Sequence, residues 1–313
     1  MKSLPLGSSG IQVSAFCLGT MYFGSRTSTK DSFRLLDAYF DRGGRFLDTA
    51  NIYAWWVRGG RGGESEELLG KWLRSRGCRE RMIIASKVGF EMPGVERGLS
   101  AENIERECHA SLRRLGLRIL DLYYAHVDDR MTPMEETLEA FHRLQRAGAV
   151  RVIGASNFTA WRLERARRLS LSRGIPAYCC VQQRYTYLRP HAGARFDPQL
   201  AADSELLDYT SSERMTLLAY TPLLEGSYTR SDKPLSAKYA GPDSKARLRA
   251  LRSVARDLGA TPNQVVLAWM LAHSPPVLPV FGVSTIGQLE ENLGALDLEL
   301  TPEMLQRLDR ASA

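Results

Sequence analysis

Four side chains able to donate, accept or orient a proton follow successive hydrophobic segments of this sequence. Asp48 and Tyr53 follow one segment, Lys87 ends the next, and His126 follows the one after that. A hydride added to a carbonyl carbon leaves negative charge on the oxygen, and an acid must neutralise that charge. The set therefore predicts proton transfer to or from a carbonyl oxygen.

Each residue has a distinct role in such a reaction. A phenol with an ordinary pKa of about 10 is a weak acid at neutral pH, so Tyr53 needs a neighbour that favours its phenolate. We expect the Lys87 ammonium to lower that pKa, Asp48 to keep the lysine charged, and His126 to orient the substrate oxygen. Taken singly, Lys87 with Asp48 is more often a structural ion pair, and His126 is more often a satisfied core histidine. Their combination with Tyr53 favours catalysis.

The elements that position these residues are predicted from hydrophobic patterning. Short runs rich in β-branched and aromatic residues alternate with helix-patterned stretches, which is typical of parallel βαβ units. The predicted strands are Val13–Leu18, Arg45–Asp48, Met82–Lys87, Leu120–Ala125, Val150–Ala155, Cys179–Gln182, Thr216–Ala219 and Val277–Val280. The predicted helices are Thr29–Asp41, Ser65–Arg76, Ala101–Leu115, Pro133–Ala147, Thr159–Ser172, Pro198–Ser212, Lys245–Asp257 and Thr261–Ala272.

Eight alternating strands with no Pro-, Gly- or Ser-rich linker predict an α/β protein, a (β/α)8 TIM barrel forming one domain over residues 1–313. Functional groups of such barrels stand at the C-terminal ends of the strands. The polar residues at those positions in the later strands are Ser156, Asn157, Gln183, Tyr220, Gly282 and Ser284. Leu223–Ser244, the longest stretch without clear periodicity, follows the seventh predicted strand and is typical of a binding loop or lid.

Composition narrows the class of protein. The net charge is +7, but the basic residues are interleaved with aliphatic ones, as in Trp161–Arg168, which favours solvated helix faces over a nucleic-acid surface. No segment approaches the roughly 18 apolar residues of a membrane span, and we expect a cytoplasmic protein. Five cysteines without disulfide or zinc spacing predict reduced thiols and no metal site.

Motifs spread over nearly the whole chain resemble those of the aldo-keto reductases. They are LGT at Leu18–Thr20, FLDTANIY at Phe46–Tyr53, GESEELLG at Gly63–Gly70, SK at Ser86-Lys87, DLYYAH at Asp121–His126, VRVIGASNF at Val150–Phe158, Gln183, AYTPL at Ala219–Leu223 and PVFGVSTIGQLEENLGAL at Pro279–Leu296. The resemblance implies the catalytic tetrad Asp48, Tyr53, Lys87 and His126, with no metal. It also implies reduction of an aldehyde, ketone or sugar-like carbonyl, or the reverse oxidation.

The same resemblance implies a nicotinamide dinucleotide extended across the C-terminal end of the barrel. Ser156, Asn157 and Gln183 would hold the carboxamide, Tyr220 would stack on the nicotinamide, and Leu223 and Gly226 would lie along the pyrophosphate. Ser284, Gln288, Glu291 and Asn292 would surround the adenosine, and the remaining implied contacts are Gly19, Thr20, Met21, Asp48, Pro222 and Gly282. Ser284 and Thr285 precede a predicted helix, whose free N–H groups attract phosphate.

Two segments depart from the family pattern, and both lie on predicted substrate-facing loops. Tyr53 is followed by AWWVRGGRGGESEE, a longer stretch than the family's glycine turn, and His126 is followed by Val-Asp-Asp where an aromatic residue is common. With Tyr53 and His126, Trp55 and Trp56 are candidate substrate contacts, or else they anchor the loop. The substrate itself, the direction of the reaction and the oligomeric state are left open.

A second interpretation belongs to another class of protein. Barrels of this family also serve as β-subunits of potassium channels, so a non-catalytic, cofactor-binding regulatory subunit is the alternative. The complete tetrad favours the enzyme, with a small-molecule carbonyl or alcohol as its partner and neither nucleic acid nor membrane.

The cofactor prediction is NADPH first, with NADH usable. Between residues 280 and 300 there is no Lys or Arg to bind a 2′-phosphate, although the chain has 42 basic residues. Arg230, Lys233 or Lys238 would have to supply the charge. We predict a preference in kcat/KM below about a hundredfold, or about 2.7 kcal/mol, measured with both cofactors. A preference above a thousandfold would contradict this interpretation of the loop after the eighth strand.

Overall fold

The computed structural model describes residues 1–312 and shows a closed barrel of eight parallel strands. The strands are β1 Ser3–Pro5, β2 Gln12–Ser14, β3 Cys17–Gly19, β4 Phe46–Asp48, β5 Ile83–Val88, β6 Leu120–Ala125, β7 Val150–Ser156, β8 Cys180–Arg184, β9 Thr216–Tyr220 and β10 Leu278–Phe281. The barrel order is β10-β3-β4-β5-β6-β7-β8-β9, with an antiparallel β1–β2 hairpin outside it. The predicted (β/α)8 TIM barrel is therefore confirmed.

Helices follow the barrel strands and cover the outside of the barrel. They are α1 Thr29–Asp41, α2 Glu64–Arg76, α3 Ala101–Leu115, α4 Met134–Arg146, α5 Ala160–Arg173, α6 Ser204–Ser212, α7 Pro242–Asp257, α8 Pro262–Leu271, α9 Ile286–Leu293 and α10 Pro302–Asp309. Their buried faces pack on the strands in one hydrophobic cluster that extends from Phe16 to Leu308. The helices thus shield both the sheet and the base of each functional loop from water.

Local sequence explains where several helices begin and end. Thr261 and Gln264 form a reciprocal capping box at the start of α8, and Ser100 accepts a hydrogen bond from the Asn103 amide at the start of α3. Helix α3 ends at Gly116 in the left-handed conformation, which glycine adopts without a steric penalty. These signals account for the agreement between most predicted and observed helix bounds.

The predicted strand Val13–Leu18 is wrong as one element, because the structure divides it. Gln12–Ser14 pairs with Ser3–Pro5 in the hairpin, whereas Cys17–Gly19 joins the barrel beside β4. Hairpin residues Leu6 and Ile11 pack with barrel residues such as Phe46. The hairpin thereby covers the N-terminal end of the barrel, opposite the predicted site.

Two predicted helix starts also move. Helix α6 begins at Ser204 rather than Pro198, because the Asp203 carboxylate accepts a hydrogen bond from the Leu206 amide and so caps the helix there. Helix α7 begins at Pro242 rather than Lys245 and therefore includes the end of the predicted loop Leu223–Ser244. Short 3-10 turns occupy other parts of that loop.

All five cysteines are buried and free, as the sequence predicts. No helix within residues 1–312 is long and apolar enough to cross a membrane. In the same part of the chain, no three His, Cys, Asp or Glu side chains are grouped as a metal site.

A buried ion pair joins α2 to α3 behind the strand that carries Lys87. The fully buried Glu66 carboxylate accepts a hydrogen bond from Arg114 Nε at 2.5 Å and another from Ser86 Oγ at 2.5 Å. Removing one partner of a buried pair leaves an uncompensated charge and an unsatisfied donor. The pair therefore stabilises the contact of α2 and α3 with β5.

We predict that Glu66→Leu lowers the free energy of unfolding by about 3 kcal/mol or more, measured by urea titration. The matched control is Glu67→Leu on the same helix, where the carboxylate pairs with Arg61 at the surface and the loss should stay below about 1 kcal/mol. Equal losses in the two variants would show that the buried pair contributes nothing specific.

Candidate active site

Asp48, Lys87 and Tyr53 form a hydrogen-bonded triad at the C-terminal end of the barrel. Lys87 Nζ lies 2.5 Å from Asp48 Oδ2 and 2.7 Å from the Tyr53 hydroxyl. It also donates to the Thr49 carbonyl at 2.9 Å. Asp48 and Lys87 are fully buried, whereas Tyr53 is only partly covered, so the phenol is the member of the triad that a substrate can reach.

The register of the strands explains this placement. Asp48 ends β4 and Lys87 lies near the end of the neighbouring β5, so both side chains reach the same end of the barrel. Behind them, two hydroxyl groups join this end to α2: Ser65 Oγ donates to the Thr20 carbonyl at 2.9 Å and accepts from Thr49 Oγ1 at 2.8 Å. These bonds fix the backbone around Asp48 and around Thr49, whose carbonyl accepts a hydrogen bond from Lys87.

His126 completes the predicted tetrad. Its ring centroid lies 6.2 Å from that of Tyr53 and 4.6 Å from that of Phe90, both edge-on. The residue is 8% exposed, and its Nδ1 is buried without a hydrogen-bond partner among residues 1–312. The structure therefore brings all four predicted residues together, with the imidazole edge-on to the phenol.

The electrostatics of the site differ from the expectation for Tyr53. Burial, followed by the Asp48 charge, raises the pKa of Tyr53 well above its ordinary value of 10, whereas we expected Lys87 to lower it. Lys87 is itself buried, which lowers its pKa, although the adjacent Asp48 acts in the opposite direction. Desolvation and the Lys87 charge hold the pKa of His126 well below 6.5. The phenol is thus protonated and the imidazole neutral at physiological pH.

The predicted carboxamide residues are joined by hydrogen bonds around the end of β7 and the neighbouring β8. The Asn157 amide donates to Gln183 Oε1 at 2.9 Å, and its side-chain nitrogen donates to the His126 carbonyl at 2.9 Å. Tyr220 donates its hydroxyl proton to Asn157 Oδ1 at 2.8 Å. Ser156 lies 3.2 Å from the Asn157 side-chain nitrogen. These bonds therefore join β6, β7, β8 and β9 next to the tetrad.

Unusual backbone conformations concentrate at this end of the barrel. Six non-glycine residues within 1–312 have positive φ, and five of them follow strands that carry the site: Ala54, Asn157, Thr221, Leu224 and Glu225. Such conformations cost about 1 to 3 kcal/mol each and are found mainly at functional sites. The loop that begins with Thr221 and includes Pro222, Leu223 and Gly226 therefore has the backbone conformations of a functional loop, not only of a connection between two elements.

The residues predicted around the adenosine lie within α9 and just before it. Thr285 caps this helix, and Gln288 Oε1 accepts from both the amide and the hydroxyl of Ser284, at 2.8 and 3.0 Å. Glu291 accepts from Thr261 and Asn263 on the neighbouring α8, while Asn292 is buried. The structure thus joins two of these residues, Ser284 and Gln288, and leaves the Thr285 end of the helix exposed.

Arg230, Lys233 and Lys238, the basic residues proposed to bind a 2′-phosphate, have different surroundings. Arg230 pairs with Asp232, with Nη2 and Oδ2 2.5 Å apart. Lys238 stands over the Phe196 ring, 4.6 Å from its centroid. Lys233 is exposed. Arg230 and Lys238 therefore each have a partner other than α9.

The departures from the family pattern have separate structural explanations. Trp56 packs edge-on against Tyr53 with ring centroids 6.4 Å apart, and Trp55 packs against Trp56 in the same way. Asp128, in contrast, is paired with the buried Arg162, whose Nη2 lies 2.6 Å from Oδ1. The long loop therefore adds indole surface beside the phenol, whereas the acid after His126 stabilises the start of α5.

Sequence reasoning missed three residues of the site. Gln182 Nε2 donates to Asp48 Oδ1 at 2.8 Å, Phe90 flanks His126, and Ser65 organises the hydroxyl groups behind the triad. Gln182 had a usable signal, since alternation along β8 places neighbouring side chains on opposite faces. Of the Gln182-Gln183 pair, only Gln183 was predicted to contact the cofactor.

A triad of acid, amine and phenol thus lies beside a neutral imidazole at the C-terminal end of a (β/α)8 barrel, an arrangement suited to proton transfer. Residues 15–313 match the model described as the Aldo/keto reductase family, so the chain belongs to that family, whose members generally use NAD(P)H. The tetrad positions inferred from the motifs therefore lie within the matched region.

Similar proteins come from bacteria and fungi. The "Uncharacterized oxidoreductase YrpG" of Bacillus subtilis is 34% identical over 323 residues, covering 99% of this chain and 95% of that protein. The norsolorinic acid reductase stcV of Emericella nidulans is 32% identical, covering 96% and 78%. A Schizosaccharomyces pombe protein named for the β-subunit of voltage-gated potassium channels is 31% identical, covering 98% and 93%.

The lowered pKa of His126 predicts a pH-dependent contribution to stability. Below its ordinary value of 6.5 the unfolded chain binds a proton at this residue and the folded chain does not, so stability falls as pH falls. The loss is at most about 1.4 kcal/mol per pH unit. We expect His126→Gln to lose less stability than the wild type between pH 7.5 and 5 in urea titrations.

The control is His109→Gln, which changes an exposed histidine on α3 and should keep the pH dependence of the wild type. The same pH dependence in the His126→Gln protein as in the wild type would show that His126 takes up a proton in the folded state.

Proposed function

We propose that the chain is an NAD(P)H-dependent carbonyl reductase, or the corresponding alcohol dehydrogenase, with Tyr53 as general acid and base. The observation that carries this proposal is the Tyr53 hydroxyl held 2.7 Å from Lys87 Nζ, next to the free imidazole of His126. The phenol keeps its proton at physiological pH because its surroundings raise its pKa. It therefore has a proton to donate when negative charge develops on a carbonyl oxygen.

The residues then divide the work of the reaction. Bound NAD(P)H supplies the hydride. His126 donates a hydrogen bond from its ring N–H to the carbonyl oxygen and orients that oxygen towards Tyr53. Tyr53 transfers its proton as the oxygen becomes negative, and the Lys87 ammonium stabilises the resulting phenolate. Asp48 keeps that ammonium charged, and the reverse sequence serves oxidation.

The residues present fit a nicotinamide dinucleotide. Amide and hydroxyl groups of Asn157, Ser156 and Gln183 lie beside the tetrad, as a carboxamide requires, and the buried Nδ1 of His126 still lacks a partner. A Cβ at Gly282 would meet only the Gly19 carbonyl, at 3.7 Å, so the backbone there is open to close approach. We propose NADP(H) as the principal cofactor and NAD(H) as usable.

We further propose that the chain is one domain over residues 1–313 and acts in the cytoplasm on a small-molecule carbonyl or alcohol. The continuous hydrophobic cluster between Phe16 and Leu308 supports the single domain. Trp56 beside Tyr53 and Phe90 beside His126 support a substrate with an apolar or ring-shaped face.

The second candidate is a regulatory, non-catalytic subunit, favoured by the similarity to the yeast protein named for a channel β-subunit. An enzyme turns over a carbonyl substrate, whereas a non-catalytic subunit only binds the cofactor. Purified protein should oxidise NADPH, followed at the reduced-nicotinamide absorbance, with at least one member of a panel of aldehydes, ketones and ketosugars. Binding of NADPH without oxidation across the panel would favour the subunit.

We predict that Tyr53→Phe lowers kcat by about two orders of magnitude or more, because it removes the donated proton and keeps the ring. The dissociation constant of NADPH, measured by fluorescence quenching, should stay near the wild-type value. A variant that keeps more than about half of the wild-type turnover would refute the assignment of Tyr53.

Truncation of Trp55 or Trp56 to Ala should raise KM for bulky carbonyl substrates more than for a minimal aldehyde, because indole surface is lost beside the phenol. Trp56, which contacts Tyr53, should show the larger effect. Steady-state kinetics with paired small and large aldehydes measure it. A lower melting temperature with equal changes in KM would instead identify the pair as a loop anchor.

A further inference from the structure

Tyr53 lies at the end of a tight turn that follows β4. The Tyr53 amide donates to the Ala50 carbonyl at 3.2 Å, which closes the turn, and Ala54 directly after it has a positive φ of 75°. Asn51, inside the turn, is fully buried, and its backbone amide donates to the Lys87 carbonyl at 3.4 Å. This turn therefore sets the backbone end of the phenol, whereas Lys87 Nζ binds the hydroxyl end.

The Asn51 side chain joins the turn to helix α3. Its Nδ2 donates to Glu107 Oε2 at 3.0 Å, and Glu107 is only 3% exposed. The other carboxylate oxygen, Oε1, accepts from Arg106 Nε at 3.3 Å, so the buried charge has a cation beside it. Within residues 1–312, Asn51 Oδ1 is buried without a hydrogen-bond partner. Glu107 therefore fixes the direction of the amide, because a carboxylate accepts hydrogen bonds and does not donate them.

We propose that Glu107 is a positioning residue that acts through Asn51 to fix the turn carrying Tyr53. This inference rests on the proposed reductase function. A phenol bonded to Lys87 at its hydroxyl group still tilts if its backbone moves, and a misplacement of about 1 Å can reduce turnover by up to about a hundredfold. Helix α3 packs against α2 and β5, so it gives the turn an attachment that the partly exposed loop after Ala54 does not give.

A second buried carboxylate near α3 has different partners. Glu66 accepts from Ser86 and Arg114 and so joins α2, α3 and β5. Glu107 instead reaches from α3 to the turn after β4. The two acids therefore attach different parts of the barrel to the same helix, and Glu107 is the one whose removal should move Tyr53.

The test compares Glu107→Leu, Glu107→Gln, Asn51→Leu and the double leucine variant with the wild type. Each single leucine variant should lose about tenfold in kcat for carbonyl reduction, with KM and the NADPH dissociation constant within about twofold of the wild type. The double variant should lose no more than either single variant, because both remove the same contact. Glu107→Gln keeps an oxygen that accepts from Asn51 and should retain at least about half of the wild-type kcat.

Glu105→Leu is the matched control, since it removes a carboxylate of the same helix that pairs with Arg143 at the surface. Its kcat should equal that of the wild type. Wild-type kcat in Glu107→Leu, even with a lower melting temperature, would make the contact purely structural and overturns the proposal. Equal losses in Glu107→Gln and Glu107→Leu also overturn it, because the effect would then come from the lost charge.

A second readout follows the position of Tyr53 without turnover. Tyr53 and Trp56 are in edge-on contact with ring centroids 6.4 Å apart, so the fluorine NMR resonance of Trp56 in fluorotryptophan-labelled protein reports movement of the phenol ring. That resonance, assigned with Trp56→Phe, should shift in Glu107→Leu and Asn51→Leu and stay in place in Glu107→Gln. The resonance of Trp269 on α8 should not move. An unmoved Trp56 resonance in both leucine variants contradicts the proposal.

The proposed function and this inference fail separately. If the wild type oxidises no NADPH with any carbonyl, the reductase function fails, and the Trp56 resonance still decides whether Glu107 fixes the position of Tyr53. If Glu107→Leu does not fold, Asn51→Leu decides both measurements.

Discussion

The ion pair between Lys87 and Asp48 is the interaction on which the site depends. Taking two charges out of water costs several kcal/mol for each ion, and their attraction repays that cost only when the geometry is good and the remaining hydrogen-bonding capacity is satisfied. Both residues are fully buried here. Every group around the pair can be understood as meeting that requirement.

Residues on several strands satisfy the hydrogen-bonding capacity of this buried ion pair. Lys87 uses its donors on Asp48, the Thr49 carbonyl and Tyr53, and Asp48 uses its second oxygen on Gln182. The phenol therefore has two functions, since it satisfies the ammonium and is also the one partly exposed member of the group. Because the hydrogen bond with Lys87 positions the Tyr53 hydroxyl group, no flexible loop is needed to hold it. The loops can then vary, as the long segment with Trp55 and Trp56 does, without disturbing the triad.

The barrel itself was predictable because its strands and helices are specified by local patterns. Asp48, Lys87 and His126 end or follow such strands, so their meeting follows from the closure of the sheet. The strand predicted at Val13–Leu18 failed because hydrophobic patterning does not reveal that the chain leaves the hairpin at Ser14 and enters the barrel at Cys17.

Contacts between distant elements were not predictable from local patterns. The Gln182–Asp48 bond depends on the diameter of the barrel and on which residues of β8 point inward. The pKa of Tyr53 depends on burial that the sequence does not show, which explains why the expected direction was wrong. The pairing of Asp128 with Arg162 likewise depends on the position of α5.

The most direct test of this account is the free energy of unfolding of Asp48→Asn, Lys87→Met and the double variant, measured by urea titration at pH 7.5. Lys87→Met alone leaves a buried, unpaired carboxylate and should cost about 3 to 5 kcal/mol. We predict that the double variant is more stable than Lys87→Met, because it removes the uncompensated charge. Losses that add in the double variant would show that the two residues do not depend on each other and would contradict the account.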